Sequence, residues 1–238
     1  SRPVGWADGG VGISLSSNSG ENYDGTKTTS NTTTINNYGP KAGKNVLLNS
    51  VSWTKTYGGG VENPNGLSSS SQTTTVYKYK DDGSVESAIS TTSADSWSFN
   101  LMEGADVKSH TETTSMLKAV KGKLVQTDSR SVTTSSSGDS KTTSFSWSHY
   151  EYDANARFKK EGSYSKSQSI TQAEDGSVTV SVSVDTLSVF RNAPRVEKTE
   201  TTTTTYSEGG SLVWPPSGWE KGTAESAPGV FKAADGGE

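Results

Sequence analysis

The sequence predicts an all-β protein of long antiparallel hairpins, a meander that runs as an extended sheet or winds into a sandwich or solenoid-like form. Three observations carry this reading. Ser and Thr make up about 30% of the chain and alternate with Val, Tyr, Phe and Trp. Turn signals, above all Asp-Gly, punctuate that alternation. No stretch shows the 3.6-residue period of an amphipathic helix. Residues 178–184 are the clearest case, Val-Thr-Val-Ser-Val-Ser-Val. Period-two alternation places each Val on one face of a strand and each hydroxyl on the other. β-Branched and aromatic residues suit that pleated setting.

In chain order, residues 1–45 form an extension rich in Gly, Asn, Ser and Thr. It holds one short strand around 11–15 and a polar strand around 26–35, and is suited to donation to a neighbouring sheet. Residues 46–211 form the strand-rich body. Residues 212–238 contain Trp214-Pro215-Pro216, Trp219, Pro228 and a Gly-Gly-Glu end. Proline cannot donate to a sheet ladder, so Pro215-Pro216 stops the last strand of the body.

Within the body, Asp81-Asp82-Gly83-Ser84 separates strand residues 73–80 from 85–90. Glu174-Asp175-Gly176-Ser177 separates 163–172 from 178–184. Asp-Gly supplies the positive φ of a two-residue hairpin turn. Ser137-Gly138-Asp139 and Asp153-Ala154-Asn155 mark two further turns. Hairpin arms of about 8–12 residues follow, longer than the common strand of about 5–6. In residues 178–184 the apolar positions are even, whereas Leu187 and Val189 are odd. This predicts a β-bulge near Asp185-Thr186. Residues 201–205 are five consecutive Thr, a strand that lies flat on another sheet or forms an edge open to pairing. Ser-Trp-Ser/Thr recurs at Trp53, Trp97 and Trp147, with spacings of 44 and 50 residues, and Phe190 follows Trp147 by 43. Such spacings suggest a repeat of about 45 residues.

Composition bounds the function. The hydrophobic fraction is 29%, so the core is thin. The net charge is only −4, which removes one half of the disorder signature. With pI ≈ 5.3 and no basic patch, nucleic acid is not an expected partner. No apolar run reaches the roughly 20 residues of a transmembrane helix. There is no Cys, hence no disulfide. The chain begins at Ser1 rather than Met, as it would after removal of a signal peptide. The expected location is extracellular or on a cell surface.

No residue pattern announces a catalytic site, a cofactor or a metal. His110 and His149 are the only histidines and read as strand-surface residues. Neither stands in a triad or next to a G-x-S-x-G turn. The two Asp-Gly segments lack the alternating oxygen ligands and final Glu of a calcium loop. Glu21, Asp24 and the Asp-Gly turns are the places where a cation would bind loosely. Lys78, Lys80, Asp81 and Glu86 read as solvated cross-strand charges. Asn31-Thr32-Thr33 matches an N-glycosylation acceptor, a pattern common by chance. The 6 Trp and 9 Tyr read first as sheet core, and second as a sugar-stacking face.

Three functions are therefore expected, in order. The first is a non-enzymatic structural protein that associates with itself through strand pairing, as a surface filament, fibre or adhesin. The second rests on residues 131–137 and 141–145 around Ser137-Gly138-Asp139. This hairpin resembles in texture the membrane-inserting hairpins of the aerolysin-like toxins, which implies a β-pore-forming toxin. It departs from them because Val132, Thr134 and Ser136 make a polar lipid face. The third is a carbohydrate-binding β module, with glycans as partners.

Overall fold

Eleven long strands follow one another and pair with their sequence neighbours in a computed structural model that describes residues 9–21, 27–58, 66–100, 105–206, 210–213 and 230–233. They are β1 (Gly10–Glu21), β2 (Lys27–Lys41), β3 (Lys44–Gly58), β4 (Leu67–Tyr79), β5 (Val85–Asn100), β6 (Ala105–Val120), β7 (Lys123–Ser137), β8 (Ser140–Tyr152), β9 (Phe158–Gln172), β10 (Val178–Phe190) and β11 (Ala193–Tyr206). They form one open sheet in the order β1 to β11, every pair antiparallel. A separate two-stranded ribbon pairs β12 (Gly210–Val213) with β13 (Val230–Ala233). No helix occurs among the described residues.

The arms are longer than 8–12 residues: β5 and β6 have 16 each. Ser and Thr continue the ladder past the apolar positions, because a hydroxyl side chain tolerates either face. Residues 11–15 and 26–35 fall in β1 and β2, and β2 pairs along its length with β3. The N-terminal segment therefore forms a hairpin that extends the chain's own sheet. Trp214, Pro215, Pro216, Trp219 and Pro228 lie outside the described residues.

Cross-strand partners share a face, so the register sorts the residues. One row crosses all eleven strands as Ser14, Thr34, Ser52, Thr73, Thr92, Thr113, Ser131, Ser146, Ser167, Ser183 and Thr201. The row beside it, from Ser16 to Thr203, is broken only by Ala94. Hydroxyls bond across this face at Thr32–Thr54, Thr73–Thr92, Thr111–Thr133 and Ser183–Thr201, at 2.8–2.9 Å. Each antiparallel residue turns both backbone groups to one neighbour, so close and wide pairs alternate from one interface to the next. The Ser/Thr hydroxyl pairs accordingly fall within β2–β3, β4–β5, β6–β7, β8–β9 and β10–β11.

The opposite face is mixed. Its central row reads Leu15, Thr33, Trp53, Gln72, Ser93, Glu112, Val132, Phe145, Gln168, Val182 and Thr202. The core cluster lies on this face toward the β11 side: Phe145, Ile170 and Val178 are buried, with Val132, Val180 and Tyr206 against them. A second apolar region lies at the end of the sheet where β2 turns into β3 and β4 into β5. There Tyr77, Ala88 and Leu117 form a row on the hydroxyl face, and Ala88 is buried.

Every hairpin that turns at that end carries a register shift near its turn: after Asn37, Lys78, Met116, His149 and Thr186. The shift after Thr186 stands beside the bulge expected at Asp185-Thr186. The unpaired residue is Glu197 on β11, so β10 keeps its alternation, and Leu187 continues the line of Ser181 and Ser183 and is buried. Trp53, Trp97 and Trp147 lie on β3, β5 and β8, two and then three strands apart. Their spacing therefore does not mark a structural repeat.

The Asp-Gly segments close three-residue loops rather than two-residue turns. Lys80 donates to the Ser84 carbonyl and Gly83 to the Lys80 carbonyl, and the Asp82 carboxylate accepts from the Ser84 amide and hydroxyl. Residues 173–177 repeat this pattern with Asp175 and Gly176, and residues 153–157 with Asp153 and Ala156. The hydrogen bonds hold all three carboxyls below their usual pKa: chiefly Ser84 at Asp82, the Arg157 amide at Asp153 and Ser177 at Asp175. Gly83 and Gly176 have φ of 77° and 83°, but the same position in the third loop is Ala156 at 60°. A left-handed Ala costs roughly 1–2 kcal/mol. Ala156→Gly is expected to stabilise the protein by up to about 1 kcal/mol, net of the entropy glycine adds to the unfolded chain. Denaturant unfolding checks this; an unchanged or lower midpoint contradicts it.

Candidate functional site

The sheet presents two kinds of feature that can act on a partner: its two free edges and a charged groove on the mixed face. Among the described residues, β1 pairs only with β2, and β11 only with β10. Each edge thus leaves a line of backbone donors and acceptors without a ladder partner in the sheet. Natural edges are blunted by Lys, Pro or bulges. β11 has all three in its first half: Pro194, Arg195, Lys198 and the bulge at Glu197. Its second half, residues 201–205, is all Thr and exposed. β1 has none of them. Its sequence is GVGISLSSNSGE, its register with β2 runs without a shift, and its only charge is Glu21 at the end, opposite Lys27. Val11, Ile13 and Leu15 are 63%, 66% and 76% exposed on the mixed face.

Both histidines stand on the mixed face in the same arrangement. His110 on β6 pairs with Asp95 on β5, and its Nδ1 lies 2.7 Å from the carboxylate. Its Nε2 faces Glu112, two residues along the strand, at 3.5 Å. His149 on β8 pairs with Asp128 on β7, at 2.8 Å from Nδ1, and its Nε2 lies 3.0 Å from Glu151. Tyr164 on β9 packs against the His149 ring at 5.7 Å between centroids, and Lys166 lies over the Tyr164 ring. The imidazoles thus stand between two carboxylates each, and both ring nitrogens are engaged.

The carboxylates favour the protonated rings. At His110 the Asp95 hydrogen bond is the largest influence, and the pKa rises above 6.5. At His149 burial is the largest influence and acts downward, but the hydrogen bonds and charges of Asp128 and Glu151 outweigh it and the pKa also rises. His-x-Glu at 110/112 and 149/151 was a readable signal, since i and i+2 share a strand face. Asp95 and Asp128 come into place only through the register.

Beside the first histidine lies a groove of about 450 Å³, bordered by Asp95, Trp97, Lys108, His110, Ser136 and Lys141 among others. Trp97, Lys108, Ser136 and Lys141 form one cross-strand row from β5 to β8. Trp53 and Trp97 are half-buried and Trp147 is buried, so the three do not form one open aromatic platform. Lys78 pairs with Glu86 at 2.9 Å on exposed side chains, as expected of solvated charges. The Asn31 side chain accepts from Ser17. Asp24 lies outside the described residues, and among these no group of three or more His, Asp or Glu side chains could hold a metal ion.

The hairpin of residues 131–137 and 141–145 is central in the sheet, in β7 and β8, with β6 and β9 on its flanks. One of its faces is Ser131, Thr133, Ser135, Thr142 and Ser144; the other mixes Val132 and Phe145 with Thr134, Ser136, Lys141 and Thr143. Neither is an apolar band. Among the described residues no helix is long and apolar enough to cross a membrane. Comparison with protein families, curated proteins and solved structures finds no match to this chain.

The raised histidine pKa values set a pH dependence. A group with a raised folded-state pKa stabilises fully below its unfolded value, near 6.5, and the contribution disappears as pH rises through the folded value. The lowered carboxyls of the three loops act in the opposite sense and lose their contribution as pH falls below about 4. Thermal stability is therefore expected to decline as pH rises above about 6.5, through His149 and the more exposed His110. His149→Gln should flatten this decline in thermal melts; an unchanged slope contradicts the account.

Proposed function

We propose that this chain is a structural, non-enzymatic subunit that associates with itself edge to edge, in a fibre, sheet or adhesin outside the cell or on its surface. The observation that carries the reading is β1: a twelve-residue edge with no Lys, no Pro and no bulge, next to exposed Val11, Ile13 and Leu15. Strand addition to such an edge satisfies its backbone groups and covers apolar surface together.

The number of strands constrains the joint. With eleven antiparallel strands, β1 and β11 run in the same direction. A copy placed by simple translation would meet the sheet through a parallel pair, which is slightly less stable per residue. A two-fold axis normal to the sheet joins β1 to β1 in antiparallel fashion and keeps both hydroxyl faces on one side. Such an isologous joint is the commonest form of self-association. The Thr-rich half of β11 offers a second, weaker joint, so that alternation of the two would give a polymer.

A charge on the exposed face of an edge strand is a natural guard against pairing. Ile13→Lys combined with Leu15→Lys is expected to weaken association by at least about tenfold, or 1.4 kcal/mol, in sedimentation experiments. Circular dichroism should retain the β signal, and negative-stain micrographs should lose the assemblies. A wild-type chain that stays monomeric at every accessible concentration, or a double variant that assembles normally, rules the reading out.

A further inference from the structure

The groove beside His110 points to a ligand that the edges do not account for. Its floor is the row Trp97, Lys108, Ser136 and Lys141, and Thr134 and Thr143 stand in the next row with His110. Asp95 also borders it, but its carboxylate is engaged by His110. Glu112 holds the other side of that ring, further from the lysines. Neither Lys108 nor Lys141 has an ion-pair partner among the described residues. The groove therefore joins two lysines that make no close ion pair to an aromatic ring, with Asp106 two residues from Lys108 on the same strand face.

We propose that this groove binds an acidic saccharide, a short run of carboxylated sugar rings laid across β5 to β8. Size, spacing and chemistry each narrow the choice. The volume of about 450 Å³ falls within the range of small-ligand sites, about 300–1,000 Å³. Lys108 and Lys141 stand two strand spacings apart, about 9.6 Å between their backbones. One sulfate or phosphate is too small to engage both without bending the two side chains together, whereas carboxylates on successive rings are spaced along a chain. The Trp97 ring offers an apolar surface to the C–H face of a pyranose. Ser136, Thr134 and Thr143 offer hydroxyls that donate to and accept from sugar hydroxyls. An acidic peptide would supply the charges but not the dense ring hydroxyls that these groups suit.

The test is isothermal titration of the full-length protein with trigalacturonate, with neutral galactotriose and with sodium sulfate. Trigalacturonate should bind, and galactotriose should bind at least about tenfold more weakly. Lys108→Gln with Lys141→Gln should reduce trigalacturonate affinity by about tenfold or more, and Trp97→Phe should leave part of it. Lys123→Gln, at the opposite end of β7, should leave affinity unchanged. Lys→Gln at these exposed positions leaves the ladder intact, so lost binding would not reflect lost folding. Equal affinity for galactotriose, full competition by sulfate at matched ionic strength, or unchanged affinity in the double variant would each overturn the proposal. The β1 variants of the previous section leave this site intact, so the two readings fail independently.

Discussion

The whole architecture depends on one constraint: an antiparallel ladder that keeps strict period-two register across eleven strands. Every cross-strand pair inherits its face from that register, so a one-residue slip anywhere would carry hydroxyls into the mixed face and apolar groups out of it. The unbroken row from Ser14 to Thr201 shows how closely the register is kept. The hydroxyl bonds across it contribute roughly 0.2–1 kcal/mol each, small singly but repeated along the sheet. They also favour one register over its neighbours, a role that a large core fills in more apolar proteins. The exceptions are concentrated at one end. Shifts in the five alternate hairpins that turn at the end of Tyr77, Ala88 and Leu117 lie outside the Ser/Thr row, and one further shift follows Thr56 at the other end.

A sheet organised in this way has little apolar area to bury internally. Phe145, Ile170 and Val178 form a compact cluster at one side, while Ile13 and Leu15 at the other remain exposed. On the β11 side Val184, Val189, Phe190 and Val196 are also exposed, but that edge is guarded for half its length. The β1 edge is not guarded, and association there would bury what the monomer leaves in water. The histidine pairs and the groove lie between these two sides, on strands held by neighbours on both flanks. They form a chemically distinct strip of the mixed face.

Much of this was legible in the residues. Alternation marked β10 and the Asp-Gly segments marked two hairpin loops, whereas the switch from Val184 to Leu187 pointed to a bulge in β10 and the extra residue is Glu197 on β11, with Leu187 on the hydroxyl face. Other features had no local signal. Ala42, Lys121 and Arg191, at the first position of the turns before Gly43, Gly122 and Asn192, hold a positive φ that such residues seldom adopt, imposed by the flanking ladder. Strand length was underestimated because Ser and Thr read as loop as readily as strand. The His-x-Glu pairs were visible, but Asp95 and Asp128 lie 15 and 21 residues from their histidines, and only the register brings them together. The groove combines residues from four strands for the same reason. The recurrence of Ser-Trp illustrates the converse: in a chain so rich in Ser, similar spacing does not imply similar position.

The central claim, that β1 is an edge built to pair with another copy, is tested most directly by hydrogen–deuterium exchange across a range of protein concentrations. The account predicts that the amides of β1 that point away from β2 exchange fast in dilute solution and become protected as concentration rises, while β6 and β7 remain protected throughout. Exchange in β1 that is fast and independent of concentration would contradict it.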